Sequence, residues 1–174
     1  MQIYRAHVLV CAGTGCTAAG SQATREALVR EVAARGLERE VRVVETGCFG
    51  FCRFGPNMMI YPEGVFYCGV KPEDVPELVE EHLVKGRVLQ RLLYRWPETE
   101  VTVAELEEIP FFRHQLRIAL RNCGLINPEV IDEYIARDGY LALGRVLTEM
   151  KPEDVINTIK KSGLRGRGGG GFPT

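Results

Sequence analysis

Residues 7–16 read HVLVCAGTGC and residues 41–52 read VRVVETGCFGFC, and the two stretches share one design. Each opens with a short apolar run, typical of a buried strand, and each ends in a glycine-bearing loop with two cysteines. Cys11 and Cys16 have the spacing C-x4-C, Cys48 and Cys52 have the spacing C-x3-C, and 31 residues separate the pairs. Because loops that follow adjacent strands lie at one end of a sheet, the four thiolates are expected to converge there.

The residues between these cysteines favour an iron–sulfur centre. Gly13, Gly15 and Gly50 let the backbone come close, so that N–H groups can hydrogen-bond the sulfurs and help to set the reduction potential. Three phenylalanines are expected to shield one side from water: Phe49, Phe51 and Phe54. The pattern predicts a 2Fe-2S cluster with four ligands: Cys11, Cys16, Cys48 and Cys52.

Two alternatives to an electron carrier remain open. Four cysteines with similar spacings can hold a structural zinc ion, and the module would then serve subunit docking. An iron–sulfur centre can also act as a redox sensor that gates partner binding. A dithiol oxidoreductase would need C-x-x-C, which the sequence lacks. Cys68 and Cys123 belong to no paired loop and are interpreted as small buried hydrophobes.

Composition excludes several classes of function. The 174 residues carry a net charge of −1, so the composition does not indicate a basic surface for nucleic acid or for an anionic membrane. No apolar run approaches the roughly 18 residues needed to span a bilayer. The first residues show no apolar core of a signal peptide, so the sequence predicts a cytoplasmic protein, whose cysteines stay reduced.

The first half of the sequence reads as a small α/β domain at 1–86. A helix is expected from Ser21 to about Arg35, and a hairpin is expected where the turn Pro62–Gly64 separates two apolar runs. Residues 71–74 open a further helix that ends at Gly86. The order strand–helix–strand, then strand–strand–helix, is the skeleton of a thioredoxin-like domain.

The second half is predicted to be helical. Residues 87–109 read as a surface linker, and 110–162 as an all-α segment with four apolar stripes. The stripes are Leu116, Ala119, Leu120 and Cys123; Ile131, Tyr134 and Ile135; Leu143, Val146, Leu147 and Met150; and Val155, Ile156 and Ile159.

The segment at 7–86 resembles the thioredoxin-like 2Fe-2S ferredoxins, a family that includes the small subunit of NADH dehydrogenases. The four paired cysteines match that family's ligands one for one. Gly55–Pro56 and the run Pro72–Val75 match its pattern as well, and Pro56 sits where thioredoxin folds place a cis proline.

The end of the sequence, GLRGRGGGGFPT at 163–174, cannot pack a core, because six of the nine residues from 163 to 171 are glycine. Taken as composition, it is either a flexible tail or a row of backbone N–H groups that can face an anion. The string resembles the flavin loop of the NADH-binding, FMN-containing subunit of respiratory NADH dehydrogenase. That resemblance implies that Gly166, Arg167 and Gly168 face FMN. It also implies that Gly169 and Gly170 face NADH and that Phe172 stacks on its adenine.

A ferredoxin domain fused ahead of that flavin subunit resembles the NADH-binding FMN/iron–sulfur subunits of soluble NAD-linked hydrogenases and formate dehydrogenases, above all electron-bifurcating hydrogenases. The resemblance implies an electron-transfer module of an NAD(H)-dependent oxidoreductase, with the catalytic site incomplete in these residues. It implies that the complete subunit binds FMN and NAD(H), and that a further 4Fe-4S cluster lies beyond residue 174. The flavin domain is expected to be truncated in this sequence. The expected partners are other iron–sulfur subunits, NAD(H) and ferredoxin, with neither nucleic acid nor membrane.

Overall fold

The computed structural model describes residues 4–174, which fall into two compact units. The first unit extends to Val130 and the second is Ile131–Thr174. Part of the interpretation of the N-terminus falls on Met1–Ile3, which lie outside the described residues.

A four-stranded sheet forms the core of the first unit. Its strands are β1 Ala6–Cys11, β2 Val41–Thr46, β3 Met58–Tyr61 and β4 Val65–Tyr67, in the order β2-β1-β3-β4. β1 pairs with β2 in parallel, while the pairs β1–β3 and β3–β4 are antiparallel. The predicted strands and hairpin are therefore confirmed, and so is the thioredoxin-like ferredoxin fold.

The register of β1 and β2 positions the cysteine loops. Cys11, the last residue of β1, lies opposite Thr46, the last residue of β2. Because the two strands are parallel and end together, the loops that follow them leave the same edge of the sheet.

Helices complete the first half. α1, Thr14–Ala18, lies where the sequence predicts a loop, whereas α2, Ser21–Ala34, confirms the helix expected from Ser21, with Leu28 and Val32 buried in the core. After β4, a 3-10 turn at Pro72–Asp74 leads into α3, Val75–Leu78, which a π-helical segment extends through Val79–Val84.

Residues 87–109 pack onto the sheet in the structure. They contain β5 Tyr94–Arg95 and β6 Thr102–Val103, which pair antiparallel, and Leu89, Leu92 and Leu93 are buried in the core. The Cys68 amide donates to the Leu92 carbonyl at 2.8 Å, which ties this stretch to the end of β4. In the described residues, the boundary between the two compact units follows Val130, outside the segment 87–109. The domain limits drawn at 86, 109 and 162 stay a prediction.

One predicted helix is wrong. α4 is only Pro110–Arg113, and turns without helix follow up to 130. Leu116 and Leu120, expected on a packed stripe, are exposed. Contacts with distant residues override the periodic pattern here: Arg117 donates to the Phe49 carbonyl at 3.3 Å, and the Gly124 amide donates to Thr46 Oγ1 at 3.0 Å.

The second unit contains the other predicted helices: α5 Ile131–Ile135, α6 Leu141–Glu149 and α7 Pro152–Ser162. The apolar side chains of these helices are largely exposed, Leu147 and Ile156 among them. Among residues 4–174 we find no helix with the length and apolar character needed to cross a membrane.

Candidate metal centre

Two loops bring the four paired cysteines together at one edge of the sheet. Cys11 ends β1 and Cys16 lies in α1, whereas Cys48 follows β2 and Cys52 opens a 3-10 turn. The Sγ atoms of Cys48 and Cys52 are 3.6 Å apart. The Cys11 thiol is hydrogen-bonded to Cys16 and interacts electrostatically with Cys52, so the two pairs face each other.

The thiols are associated two by two. Within residues 4–174, no group of three or more His, Cys, Asp or Glu side chains is arranged to hold a single metal ion. A 2Fe-2S cluster and a structural zinc ion both take four cysteine thiolates, so the four paired cysteines fit either group.

Glycines allow the two loops to interlock. A Cβ at Gly13 would lie 2.9 Å from Cys48 Cβ, and one at Gly15 would lie 2.9 Å from Cys52 Cβ. These distances are shorter than van der Waals contact, so a side chain at either position would push the loops apart. Gly13 and Gly15 therefore lie where the sequence analysis placed a close backbone approach.

N–H donors face three of the four sulfurs. The backbone amides of Phe49 and Gly13 face Cys11, and the Gly50 amide donates to Cys48 Sγ at 3.2 Å. Cys16 Sγ has the side-chain amide of Asn57 at 3.7 Å. Such donors stabilise thiolate, which is the form that binds a metal.

Burial opposes the thiolate form in the metal-free protein. Desolvation raises the pKa of Cys11 to about 11, against the lowering effect of the Phe49 and Gly13 amides. The hydrogen bond to Cys48 raises the pKa of Cys52. The protonated thiol predominates below a raised pKa, so a metal must displace protons, and its binding weakens as the pH falls.

The site is closed on one side and open on the other. Cys11 and Cys16 are buried, Cys48 is half-buried and Cys52 is exposed. Phe49 and Phe51 are buried as expected, while Phe54 is half-buried. The Phe51 ring contacts five other aromatic rings: Phe54, Phe66, Tyr94, Phe111 and Phe112. The buried pair thus lies against an apolar wall, and Cys52 marks the solvent side.

Sequence reasoning missed two residues at this site. Asn57 and Arg117 both contact the cysteine loops, and Arg117 donates to the carbonyls of Phe49, at 3.3 Å, and Cys123, at 2.9 Å. The only signal for Asn57 was a polar residue directly before an apolar strand. Arg117 carried no signal, because 68 residues separate it from Phe49.

The two unpaired cysteines lie close to the site but outside the pairs. Cys68 is half-buried, and desolvation raises the pKa of its thiol to about 12. Cys123 is also half-buried, and its Sγ lies 2.8 Å from where a Gly47 Cβ would be. Neither is fully buried, so the interpretation as small buried hydrophobes overstates their burial.

The glycine-rich segment, taken by itself, closes into a loop. The Gly166 amide donates to the Phe172 carbonyl at 2.8 Å, and Arg165 Nε donates to the Gly171 carbonyl at 2.7 Å. The residues predicted for FMN and NADH are on this loop and exposed or nearly so: Gly166, Arg167, Gly168, Gly169, Gly170 and Phe172. Their nucleotide-binding roles stay predictions.

Comparison with known proteins finds one matching family model, thioredoxin-like 2Fe-2S ferredoxin, over residues 2–83. A 2Fe-2S ferredoxin of Clostridium pasteurianum is 41% identical over 96 residues, covering 49% of this chain and 92% of that protein.

Two larger relatives match over shorter stretches. The NADP-reducing hydrogenase subunit HndC of Solidesulfovibrio fructosivorans is 63% identical over 62 residues, covering 36% of this chain. An NADH-quinone oxidoreductase subunit of Buchnera aphidicola subsp. Acyrthosiphon pisum (strain APS) is 61% identical over 44 residues, covering 25% of this chain. The matches span 12% of the hydrogenase protein and 10% of the quinone oxidoreductase protein.

Proposed function

The chain belongs to the thioredoxin-like 2Fe-2S ferredoxin family, and from this premise we propose that Cys11, Cys16, Cys48 and Cys52 hold its cluster. The observation that carries the proposal is the convergence of two thiol pairs from two loops, with N–H donors facing Cys11, Cys16 and Cys48. Four thiolates are the donor set that a 2Fe-2S cluster takes, so the residues fit the group.

The cluster supplies one-electron chemistry, and the protein around it sets the conditions. The amides of Gly13, Phe49 and Gly50 stabilise negative charge on the sulfurs. Phe49 and Phe51 exclude water from the buried pair, while Cys52 leaves one edge open to a partner. The chain thus acts as an electron-transfer module, with the exposed edge as the entry and exit point for single electrons.

We further propose that the whole protein is a subunit of a multi-subunit NAD(H)-linked oxidoreductase, a cytoplasmic hydrogenase or formate dehydrogenase. Identities of 63% and 61% to the two larger relatives support it. In this proposal the glycine loop binds FMN through Gly166, Arg167 and Gly168. Gly169, Gly170 and Phe172 bind NAD(H), and the partners are other iron–sulfur subunits and ferredoxin.

The second unit supports this wider proposal by its uncovered apolar surface. Leu141, Leu143 and Leu147 of α6 and Ile156 of α7 are each at least half exposed. Apolar helix faces of this kind are normally covered. In the proposal, the rest of a flavin-binding domain covers them, with its 4Fe-4S cluster in residues that follow this sequence.

Metal analysis of the purified protein tests the cluster directly. We expect about two irons and two acid-labile sulfides per chain, a red-brown colour, and a paramagnetic signal after reduction by one electron. One zinc per chain with neither iron nor colour would establish the structural zinc site instead. Rapid reduction by a physiological partner would favour a carrier, whereas a sensor would change partner binding with its redox state.

Titration with FMN tests the glycine loop. The 174-residue chain is expected to bind neither FMN nor NADH measurably, because glycine loses more backbone freedom on ordering than any other residue and this loop lacks supporting backbone. Flavin fluorescence measures the result, and micromolar binding would show that the loop is a self-sufficient site.

In the longer protein, Gly168→Val is expected to empty the flavin site. A Cβ at Gly168 meets nothing within 4 Å, so the loop itself tolerates the change.

A further inference from the structure

Asn57 connects the two cysteine loops from the interior. Its side chain is 1% exposed, and its Nδ2 lies 2.8 Å from the Phe51 carbonyl oxygen and 3.7 Å from Cys16 Sγ. Its own carbonyl accepts the Cys11 amide at 3.0 Å. One residue therefore contacts both cysteines of the first pair and the residue before Cys52.

The chemistry of these contacts determines how the amide is oriented. A carbonyl oxygen and a cysteine sulfur both accept hydrogen bonds, so the NH₂ group of Asn57 must face them. Its two N–H bonds suit two acceptors. The reverse orientation would place Oδ1 against two acceptors.

The arrangement has an energetic cost. Asn57 Oδ1 is buried and has no hydrogen-bond partner among the described residues. A buried polar atom left without a partner destabilises the folded state. The residues that follow, Met58 and Met59, are apolar and buried, and an apolar side chain at 57 would avoid that cost. The hydrogen bonds that the amide nitrogen donates are what an apolar side chain at this position could not provide.

We propose that Asn57 is a positioning residue that raises the reduction potential of the cluster through its hydrogen bond to Cys16. This rests on the proposed function, in which Cys16 is a ligand. Reduction adds one electron and no proton, so negative charge on the ligand sulfurs increases. An N–H donor to one of those sulfurs stabilises the reduced form more than the oxidised form, which raises the potential. The bond to Phe51 holds the amide in place for this contact.

A redox titration of three cluster-loaded proteins tests the inference. A mediator dye with dithionite as reductant delivers the single electron, and the signal of the reduced cluster reports the midpoint potential. Asn57→Leu fills a similar volume without a donor and should lower the potential. Asn57→Gln retains an NH₂ group and should recover part of the shift.

Thr24→Val is the matched control. Thr24 is fully buried, and its Oγ1 lies 2.9 Å from the Val70 carbonyl oxygen and 3.4 Å from that of Gly20, two acceptors outside the cysteine loops. The control removes a buried side-chain hydrogen-bond donor, as Asn57→Leu does, and should keep the wild-type potential. An intact cluster with unchanged potential in Asn57→Leu would refute the role of Asn57.

If Asn57→Leu assembles no cluster, the wild-type protein decides the question. Asparagine labelled with ¹⁵N at the side-chain amide should give a ¹⁵N coupling to the reduced cluster in electron spin-echo measurements, and absence of that coupling overturns the inference. A wild-type protein without iron would instead refute the proposed function, so the two failures are distinguishable.

Discussion

Cys48→Ser is expected to abolish the visible spectrum of the cluster or to shift it strongly. Cys48 is one of two proposed ligands in the second loop, and its sulfur lies 3.6 Å from that of Cys52. An alkoxide is a harder donor than a thiolate, and iron–sulfur sites favour soft ligands. Iron content should fall from about two per chain towards zero, or the absorption bands should move if serine ligates. Absorption spectroscopy and iron analysis of the purified variant measure both outcomes.

The two unpaired cysteines provide matched controls for that prediction. Cys68→Ala and Cys123→Ser should keep the wild-type spectrum and iron content, because neither side chain belongs to a pair. Burial raises the pKa of the Cys68 thiol to about 12, and the side chain lies outside both cysteine loops. Loss of the cluster in Cys68→Ala, with folding intact by circular dichroism, would show that a ligand is misassigned.

Gly15→Ala is expected to prevent cluster assembly while leaving the sheet folded. The added Cβ would lie 2.9 Å from Cys52 Cβ and 3.2 Å from Cys52 Sγ, in a place where backbone atoms limit relaxation. Overpacking of this kind costs about 1–3 kcal/mol, and here the strain falls on the separation of the two loops. Iron per chain should drop sharply, with unchanged far-ultraviolet circular dichroism.

Gly144→Ala is the corresponding control. Gly144 lies in α6, and a Cβ there meets nothing within 4 Å. Alanine should stabilise this helix by up to about 1 kcal/mol and leave the iron content unchanged. If Gly15→Ala held as much iron as Gly144→Ala, the close approach of the two loops would not be a condition for the cluster.

The strand pattern and the cysteine spacing were readable because both are local. Apolar runs predicted β1 and β2, and the pairs Cys11/Cys16 and Cys48/Cys52 follow them directly. Burial of alternate residues along a strand requires a short apolar repeat, and a ligand pair requires a short spacing. Neither depends on distant parts of the chain.

The helix expected around Leu116–Cys123 shows where local patterns fail. Its apolar residues recur at helical spacing, yet Leu116 is 85% exposed. These residues instead contact distant parts of the chain: Thr46 Oγ1 accepts a hydrogen bond from the Gly124 amide, and the Phe49 carbonyl accepts one from the Arg117 guanidinium. Such partners lie 68 to 78 residues away and leave no periodic signal.

The sequence by itself determined the two cysteine pairs, the order of the strands in the ferredoxin domain, and the glycines at which the cysteine loops approach each other. Only the tertiary structure decided that Asn57 reaches Cys16, 41 residues away, that residues 87–109 pack on the sheet, and that Cys52 faces solvent while Cys16 is buried. The physical reason is range. Backbone periodicity and ligand spacing act over a few residues, whereas side-chain hydrogen bonds and burial depend on which distant segments the fold brings into contact.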